Sequence, residues 1–186
     1  MKRLIFMLEE PSAEEMLKGL LPKVLPENVH PEFKVFEGKQ DLEKGLVRIL
    51  KAWRTPHCAF IVIRDQDSGD CHGVKQKLSA LCRQAKRDDV LVRVACRELE
   101  SFYLGDLTAV EKGLGVSGLA SKQNKRKYRS PDRLASPSQE LVRLTSGRYQ
   151  KVSGSRAIAP HLRLNANTSH SFSVLLAGIP KLVEAS

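Results

Sequence analysis

Four short apolar runs along the chain have the pattern of buried β-strands. The clearest is residues 59–63, where aromatic and β-branched side chains follow one another without alternation. A run of this kind is typical of a central strand in a parallel sheet, because such a strand is buried on both faces. Three further runs predict strands at residues 3–8, 33–36 and 90–95.

Segments with apolar residues at helical spacing alternate with these strands. Ser12, followed by Glu15 three residues later, predicts a capping box at the start of the first helix. Asp41 is predicted to cap the second helix, and residues 72–85 predict an amphipathic third helix. This order of elements predicts an α/β fold with a mostly parallel central sheet, flanked by helices and connected by right-handed crossovers.

The regular pattern weakens in the last third of the chain. Residues 117–138 are rich in Ser, Lys, Arg, Asn and Pro, and helices are predicted again only at residues 139–144 and 171–183. We therefore interpret residues 1–112 as an α/β core and residues 113–186 as a basic, partly helical extension that packs on the same domain.

Acidic residues follow three of the four predicted strands. In parallel α/β sheets the carboxyl ends of the strands form the edge where ligands bind. Asp65 and Asp67 are two residues apart, so we expect their carboxylates to leave the same face of an extended chain, about 6–7 Å apart. Carboxylates this close ionise together only beside a cation such as Mg²⁺. The acidic positions at the three strand ends are Glu9, Glu10, Asp65, Asp67, Glu98 and Glu100.

Helix capping is the simpler interpretation of the acidic residues after the third strand. Asp70 or Ser68 could cap the following helix, but capping accounts for one acidic residue and not for three within six positions. A calcium-binding EF-hand loop is excluded. Counted from Asp65, its sixth position is Asp70 rather than glycine, and its twelfth is Gln76 rather than glutamate.

The positive charge of the chain is concentrated in its last part. The formal net charge is +10, and residues 101–186 contribute 13 Lys and Arg against 5 Asp and Glu. A basic surface beside an acidic site would suit a polyphosphate substrate, and Tyr128 could stack on a base. The simpler interpretation is a disordered, solubilising loop. The predicted nucleic-acid-binding residues are Lys122, Lys125, Arg126, Lys127, Arg129 and Arg156.

The cysteine content and hydropathy predict a cytoplasmic protein that does not associate with membranes. The four cysteines form no Cys-x-x-Cys pair, and their spacing beside histidines fits no known zinc site. No segment resembles a secretory signal, and no apolar run approaches the roughly 20 residues of a membrane-spanning helix.

Two motifs give the chain a family resemblance. Leu-Glu-Glu-Pro-Ser-Ala-Glu at residues 8–14 and Arg-Asp-Gln-Asp-Ser at residues 64–68 resemble the Toprim domain of topoisomerases, primases and OLD-type nucleases. With residues 97–106 and 149–154, the chain is similar to an uncharacterised bacterial family of small Toprim-like proteins. Members of that family are encoded beside ATPases of the SMC/ABC type in what look like phage-defence operons. The resemblance implies a Toprim-like, Rossmann-like sheet.

The same resemblance implies a Mg²⁺- or Mn²⁺-dependent nuclease with one or two ions. Glu9 would be the general acid/base or a metal ligand, and Glu100 would seat a second ion. Glu10 stands where Toprim domains usually have glycine, which leaves open whether Glu9 or Glu10 points inward. The implied metal ligands are Glu9, Asp65, Asp67 and Glu100, and Lys151 would complete the catalytic set by placing positive charge on the phosphate.

Three other functions are alternatives to a nuclease that acts on DNA or RNA. The main alternative is a non-catalytic nucleic-acid-binding or regulatory subunit with a Toprim fold. A phosphohydrolase of the HAD type also uses Asp-x-Asp, but after the first strand and not the third. A topoisomerase would need a tyrosine nucleophile, and topoisomerases carry that tyrosine in a different domain.

Overall fold

The computed structural model describes residues 2–87 and 89–184, and its centre is a four-stranded, all-parallel sheet. The strand order is β2-β1-β3-β4, with helices on both faces, which confirms the predicted α/β class and is consistent with a Rossmann-like fold. The strands are β1 (Lys2–Leu8), β2 (Val29–Val35), β3 (Cys58–Asp65) and β4 (Val90–Ala95). The helices are α1 (Pro11–Leu20), α2 (Lys39–Ala52), α3 (Cys71–Gln84), α4 (Glu100–Leu104), α5 (Leu107–Leu114), α6 (Pro137–Leu144), α7 (Lys151–Ile158) and α8 (His170–Glu184).

The two central strands are apolar on both faces because each face carries its own core. On β3, Phe60 and Val62 pack with α2 and α3 on one face of the sheet. Ile61 and Ile63 point to the other face and join the larger core, which α1 and the C-terminal helices complete. This alternation of side chains along a doubly buried strand explains why residues 59–63 lack polar positions.

The C-terminal helices belong to the larger core rather than to a separate body. Helix α7 packs on α1, and α8 packs on β4. An ion pair adds to the attachment, since the buried carboxylate of Asp106 at the start of α5 accepts hydrogen bonds from the half-exposed Arg163, the shortest at 2.6 Å. None of the helices between residues 2 and 184 that the structure describes is long and apolar enough to cross a membrane.

Two predicted helix caps are wrong. Helix α1 begins at Pro11, so Ser12 lies in its first turn and donates a hydrogen bond to Glu10 instead of forming a capping box with Glu15. Asp41 lies in the first turn of α2 and accepts from the backbone N–H of Glu37. In both cases the helix starts before the polar residue that was predicted to cap it. Helix α1 starts at a proline, which is favoured in the first turn, and α2 follows a glycine with a positive φ of 93°.

The capping role of Asp70 is confirmed, and four further elements differ from prediction. The Asp70 carboxylate accepts the backbone N–H of Gly73 at 2.7 Å and caps α3. Strand β2 extends back to Val29 and includes Pro31, which is tolerated because β2 lies at the edge of the sheet. Helices α4, α5 and α7 were not predicted.

Candidate functional site

Acidic residues from β1 and β3 meet at the carboxyl edge of the sheet. In the parallel register Leu8 pairs with Ile63, and Asp65 pairs with Ala95 of β4. Glu9 therefore lies beside the end of β3, where its Oε2 accepts a hydrogen bond from the Asp65 backbone N–H at 3.1 Å. We refer to the charged groups gathered here as the carboxylate cluster, namely Glu9, Glu10, Asp65, Glu100 and Lys151.

The charges of the cluster all affect the pKa of Asp65. Burial raises the pKa of Asp65 well above its usual range, and the negative charges of Glu100 and Glu10 raise it further. Glu9 contributes in the same direction, while the ammonium of Lys151 partly opposes these effects. Asp65 therefore holds a proton more readily than an exposed aspartate, unless a cation compensates.

Glu100 is fully buried, with one of its two oxygens unsatisfied. It opens α4, and its Oε1 accepts a hydrogen bond from the Tyr149 hydroxyl at 2.9 Å. Its Oε2 has no hydrogen-bond partner among the residues that the structure describes. Burial raises the pKa of Glu100, although Lys151 and Tyr149 favour its charged form. Glu98 is directed elsewhere, since its carboxylate accepts the N–H of Ser138 at the start of α6.

Lys151 supplies the positive charge of the cluster. It is the first residue of α7, and its Nζ lies 3.1 Å from a carboxylate oxygen of Glu10. Burial lowers the pKa of Lys151, but the charges of Glu10 and Glu100 outweigh that effect and the net shift is upward. The sequence left open whether Glu9 or Glu10 points inward, and in the structure both contact the cluster by different partners. Glu9 contacts the end of β3, whereas Glu10 pairs with Lys151.

Contrary to the prediction, Asp67 does not lie beside Asp65. Strand β3 ends at Asp65, and Asp67 adopts a left-handed backbone with φ of 55°, so the extended geometry that would place both carboxylates on one face is lost. The Asp67 carboxylate instead lies 2.8 Å from Lys39 Nζ and 3.7 Å from Arg64. Asp67 still acts on the cluster, because its charge raises the pKa of Glu9 after the larger effect of burial.

Arg64 organises this second group of charges and was not singled out from the sequence. Its side chain is only 8% exposed and forms ion pairs with Glu43 at 3.1 Å and with Glu9 at 3.8 Å. A charged residue at the end of an otherwise apolar strand is the signal that could have identified it. Tyr149 was also missed as a partner of Glu100, because the two residues are 49 positions apart in the sequence.

The predicted nucleic-acid-binding residues divide into free and paired side chains. Lys127 is held 2.5 Å from Glu140, and Arg156 forms an ion pair with Glu15. The proposed stacking role of Tyr128 is wrong, because its ring is buried in the larger core and its hydroxyl donates to Glu140 at 2.6 Å. The segment is ordered, which also excludes the disordered loop. Four of the predicted residues have no ion pair with any described residue: Lys122, Lys125, Arg126 and Arg129.

The donor chemistry of the carboxylate cluster suits a hard divalent cation, although no ion cage is preformed. Within residues 2–87 and 89–184, no three His, Cys, Asp or Glu side chains are arranged to hold an ion. Mg²⁺ does not require such a cage, because it keeps several waters and binds through one or two carboxylates and substrate phosphates. A cation beside Asp65 and Glu9 would stabilise ionised Asp65, and a cation beside Glu100 would satisfy its free oxygen.

Comparison with known proteins gives one match. Residues 8–179 match a family model described as a domain of unknown function (DUF4276). No curated protein matches the chain, and no solved structure matches it.

Proposed function

The chain belongs to the DUF4276 family, and we propose that it is a Mg²⁺- or Mn²⁺-dependent nuclease that hydrolyses phosphodiester bonds in DNA or RNA. The observation that carries the proposal is the position of Asp65 and its raised pKa. Asp65 lies at the end of a central parallel strand, and burial, followed by three other carboxylates, raises its pKa. The buried, unpartnered oxygen of Glu100 is the second support. Carboxylates held together against their mutual repulsion are characteristic of metal-dependent phosphoryl chemistry.

The proposal gives each residue of the cluster a role. Asp65 and Glu9 would bind the metal, with Glu9 also able to accept a proton from water, and Glu100 would serve a second ion. A bound ion would polarise the phosphate and lower the pKa of a bound water. Lys151, whose side chain is 52% exposed, would exchange its contact with Glu10 for one with the phosphate. Asp67 has weaker support as a ligand, because Lys39 and Arg64 already neutralise it.

The resemblance to Toprim-like proteins encoded beside ATPases extends the proposal to a partner. We propose that the protein acts as the effector of an SMC/ABC-type ATPase in a bacterial defence system. The support is the resemblance of the motifs alone. Co-expression with the neighbouring ATPase should yield a complex in size-exclusion chromatography, and cleavage should be faster in the complex than with the isolated chain.

A non-catalytic nucleic-acid-binding subunit is the alternative, and one observation favours it. Lys151 already lies 3.1 Å from Glu10, and Arg64 lies 3.8 Å from Glu9, so part of the negative charge is neutralised by the protein itself. In a binding subunit these ion pairs would persist, and no metal would be needed. The two functions therefore differ in whether the cluster binds a divalent ion.

The test combines cleavage with a direct measurement of metal binding. Labelled DNA and RNA, single-stranded and double-stranded, are incubated with the protein and Mg²⁺, Mn²⁺ or EDTA. Mn²⁺ binding is measured by calorimetry without substrate. Asp65→Asn should abolish both cleavage and Mn²⁺ binding, because it removes the central carboxylate. The matched control is Asp89→Asn, which changes the same residue type at an exposed position outside the cluster and should leave both intact.

The outcomes separate the two functions. Cleavage that survives Asp65→Asn would overturn the assignment of the active site. Nucleic-acid binding in EDTA without cleavage in any metal, and without Mn²⁺ binding, would establish the non-catalytic alternative.

A further inference from the structure

A cavity on the C-terminal part of the chain is lined by cations without any acidic residue. It has a volume of about 710 Å³, and its polar walls are formed by Arg126, Lys127, Arg129, Ser130 and Arg133, with Leu134 beside them. We refer to it as the arginine pocket. Arg133 was not among the residues predicted from the sequence, and it follows the basic segment at the end of a short 3₁₀ turn that begins at Pro131.

Three of the four cations in the arginine pocket are unneutralised. The side chains of Arg126, Arg129 and Arg133 are exposed and have no ion pair or hydrogen bond with any residue in the described ranges. Lys127 differs, because Glu140 binds it, and Glu140 also binds Arg143 at 2.7 Å. Three guanidinium groups around one cavity repel one another, and an anion that bridges them removes that repulsion.

A second cavity borders the carboxylate cluster. It has a volume of about 410 Å³, and its lining includes Arg143 of α6 together with Tyr149 and Lys151. Lys151 and Tyr149 are the two residues that contact Glu10 and Glu100. Helix α6, which carries Arg143 and the partner of Lys127, therefore separates the two cavities. Basic side chains follow one another from the cluster to the arginine pocket.

We propose that the arginine pocket binds the backbone phosphates of a nucleic-acid strand that continues through the second cavity to the carboxylate cluster. The inference rests on the proposed function and adds the path of the substrate. Guanidinium groups bind phosphate through paired, planar hydrogen bonds, which suits this lining better than isolated lysines would. Contacts to phosphate carry no base information, so binding is independent of sequence.

The test measures binding under conditions in which cleavage cannot occur. The affinity of the full chain for a labelled single-stranded DNA, single-stranded RNA and duplex DNA is measured in EDTA over a range of salt concentrations. The variant replaces Arg126, Arg129 and Arg133 with Ala. Each phosphate contact contributes roughly 0.7–0.9 to the magnitude of the slope of log K against log salt, so the variant should lose about 2–3 of slope. Affinity should fall alike for unrelated sequences of one type.

A matched control has the same charge change at another surface. Arg48, Lys51 and Arg54 are exposed, have no ion pair with a described residue, and lie toward the C-terminal end of α2, away from the carboxyl ends of the strands. Their replacement by Ala also lowers the net charge of +10 by three. This control should retain the slope and affinity of the unmodified protein.

The outcomes distinguish the pocket from the proposed function. Equal losses in the two triple variants would overturn the pocket, because net charge would then explain binding. Pocket-dependent binding to vesicles of phosphatidylserine as tight as that to nucleic acid would also overturn it. A pocket-dependent slope together with absent cleavage would support the pocket and contradict only the nuclease. Cleavage with an unaltered slope in the pocket variant would contradict only the pocket.

A second, independent observation concerns two thiols beside the loop that carries Asp67. The Sγ atoms of Cys71 and Cys96 are 3.7 Å apart, and both side chains are half-buried. Cys71 opens α3, and Cys96 directly follows β4. The loop between β3 and α3 is already bonded to the same region, because the N–H of Asp67 donates to the carbonyl of Arg97 at 2.8 Å.

We infer that a hydroperoxide converts Cys71 and Cys96 to a disulfide that ties the start of α3 to the end of β4. One thiolate attacks one oxygen of hydrogen peroxide and the O–O bond breaks, so the sulfur keeps that oxygen as a sulfenic acid while the other oxygen takes up a proton and leaves as water. The second thiol displaces the hydroxyl as a second water, so two thiols are oxidised and one peroxide is reduced. Burial raises the pKa of the Cys96 thiol to about 12, which disfavours its thiolate.

Thiol counting after peroxide treatment tests this pairing. The chain has four cysteines, and none is paired in the structure. Two free thiols should disappear with a mass loss of about 2 Da in the monomer, since disulfide formation removes two hydrogens. Cys71→Ser should prevent the pairing, whereas Cys58→Ser should not. Retention of all free thiols, a crosslinked dimer, or the same loss in Cys71→Ser would overturn it.

Discussion

Asp65 and Glu100 show how position, rather than residue type, determines the chemistry of a carboxyl group. Both are surrounded by protein and by other carboxylates, and burial is the largest cause of the raised pKa of each. Glu140 is also buried but binds Lys127 and Arg143, and these partners lower its pKa despite burial. Compensated carboxylates stabilise a fold, whereas uncompensated ones are retained where a ligand can supply the missing interaction.

The raised pKa of Asp65 predicts a specific pH dependence of stability. A carboxyl group with a higher pKa in the folded than in the unfolded chain stabilises the fold below the unfolded pKa of about 3.9, and this contribution is lost as pH rises through the folded pKa. Asp65→Asn removes the effect. Its melting temperature should match that of the unmodified protein near pH 4 and exceed it increasingly toward neutral pH. An increase of about 1 kcal/mol would raise Tm by roughly 2–4 °C in a chain of this size.

Thermal melts between pH 4 and 7 measure this difference. Mg²⁺ at neutral pH should raise Tm of the unmodified protein and leave Asp65→Asn unchanged. Asp89→Asn serves as the control and should follow the unmodified protein at each pH. A pH-independent difference between Asp65→Asn and the unmodified protein would show that Asp65 is not the titrating group.

The bond between Tyr149 and Glu100 predicts an unequal effect of two similar substitutions. Tyr149→Phe leaves both oxygens of a fully buried carboxyl group without a hydrogen-bond donor and should cost about 1–3 kcal/mol of unfolding free energy. Tyr128→Phe removes a comparable bond, but Glu140 keeps Lys127 and Arg143 as partners, so the cost should be nearer 0.5–1.5 kcal/mol. Urea unfolding gives both values. Equal costs would mean that the Glu100 carboxyl group is satisfied in another way.

At the scale of elements, the sheet could be predicted because its strands are continuous apolar runs, whereas two features of the site could not. Helix α7 buries mainly small residues, Gly154 and Ser155 with Ile158, and therefore lacks the apolar stripe by which a helix is identified. The left-handed backbone of Asp67 separates it from Asp65; Ser68 and Gly69 predict a bend in that segment, but they do not predict that Asp67 is the residue with a positive φ. The acidic strand ends were visible in the sequence. Their partners Tyr149 and Arg64 could not be predicted, because only the packing of the chain brings these residues to the acidic strand ends.

Close packing between α5 and α7 predicts a position where the smallest side-chain addition is costly. A Cβ atom on Gly113 would lie 2.6 Å from the Ala157 carbonyl oxygen and 2.7 Å from the Ile158 Cα. Backbone atoms cannot move aside as a flexible side chain can, so Gly113→Ala should cost about 1–3 kcal/mol. It should also weaken metal binding, because α7 carries Lys151 and follows the segment of Tyr149.

Gly73→Ala is the matched control for this substitution. Its Cβ atom would meet only the Asp70 side chain, at an ordinary contact distance of 3.4 Å, within the first turn of α3. Alanine has the higher helix propensity, so stability should be unchanged or rise by up to about 1 kcal/mol. If Gly113→Ala behaves like Gly73→Ala in urea unfolding, the close approach of α5 and α7 is not maintained in solution.

At the scale of the whole molecule, the change of composition near residue 113 does not coincide with a change of core. Most of the basic residues after that point lie on the surface, while ten apolar residues from the same part enter the same cluster as β1 and β3. The change of composition therefore indicates the character of the outer face of the C-terminal part, where the arginine pocket lies. It does not indicate whether the C-terminal part packs on the sheet. The C-terminal residues in the larger core are Leu119, Tyr128, Leu141, Tyr149, Ile158, Ala159, Leu162, Phe172, Leu175 and Ile179.

This shared core predicts that residues 1–112 do not fold without the C-terminal part. Truncation after residue 112 would expose the face of the sheet that carries Ile61 and Ile63, and it would leave Asp106 buried without Arg163. Because Arg163 is half-exposed, loss of this pair should cost less than the roughly 3–5 kcal/mol of a fully buried pair, and loss of the shared core is the larger effect. The full chain should unfold in a single cooperative transition, monitored by circular dichroism and by Trp53 fluorescence. The truncated chain should show no transition, and a cooperative melt of residues 1–112 with native-like circular dichroism would establish an independent N-terminal domain instead.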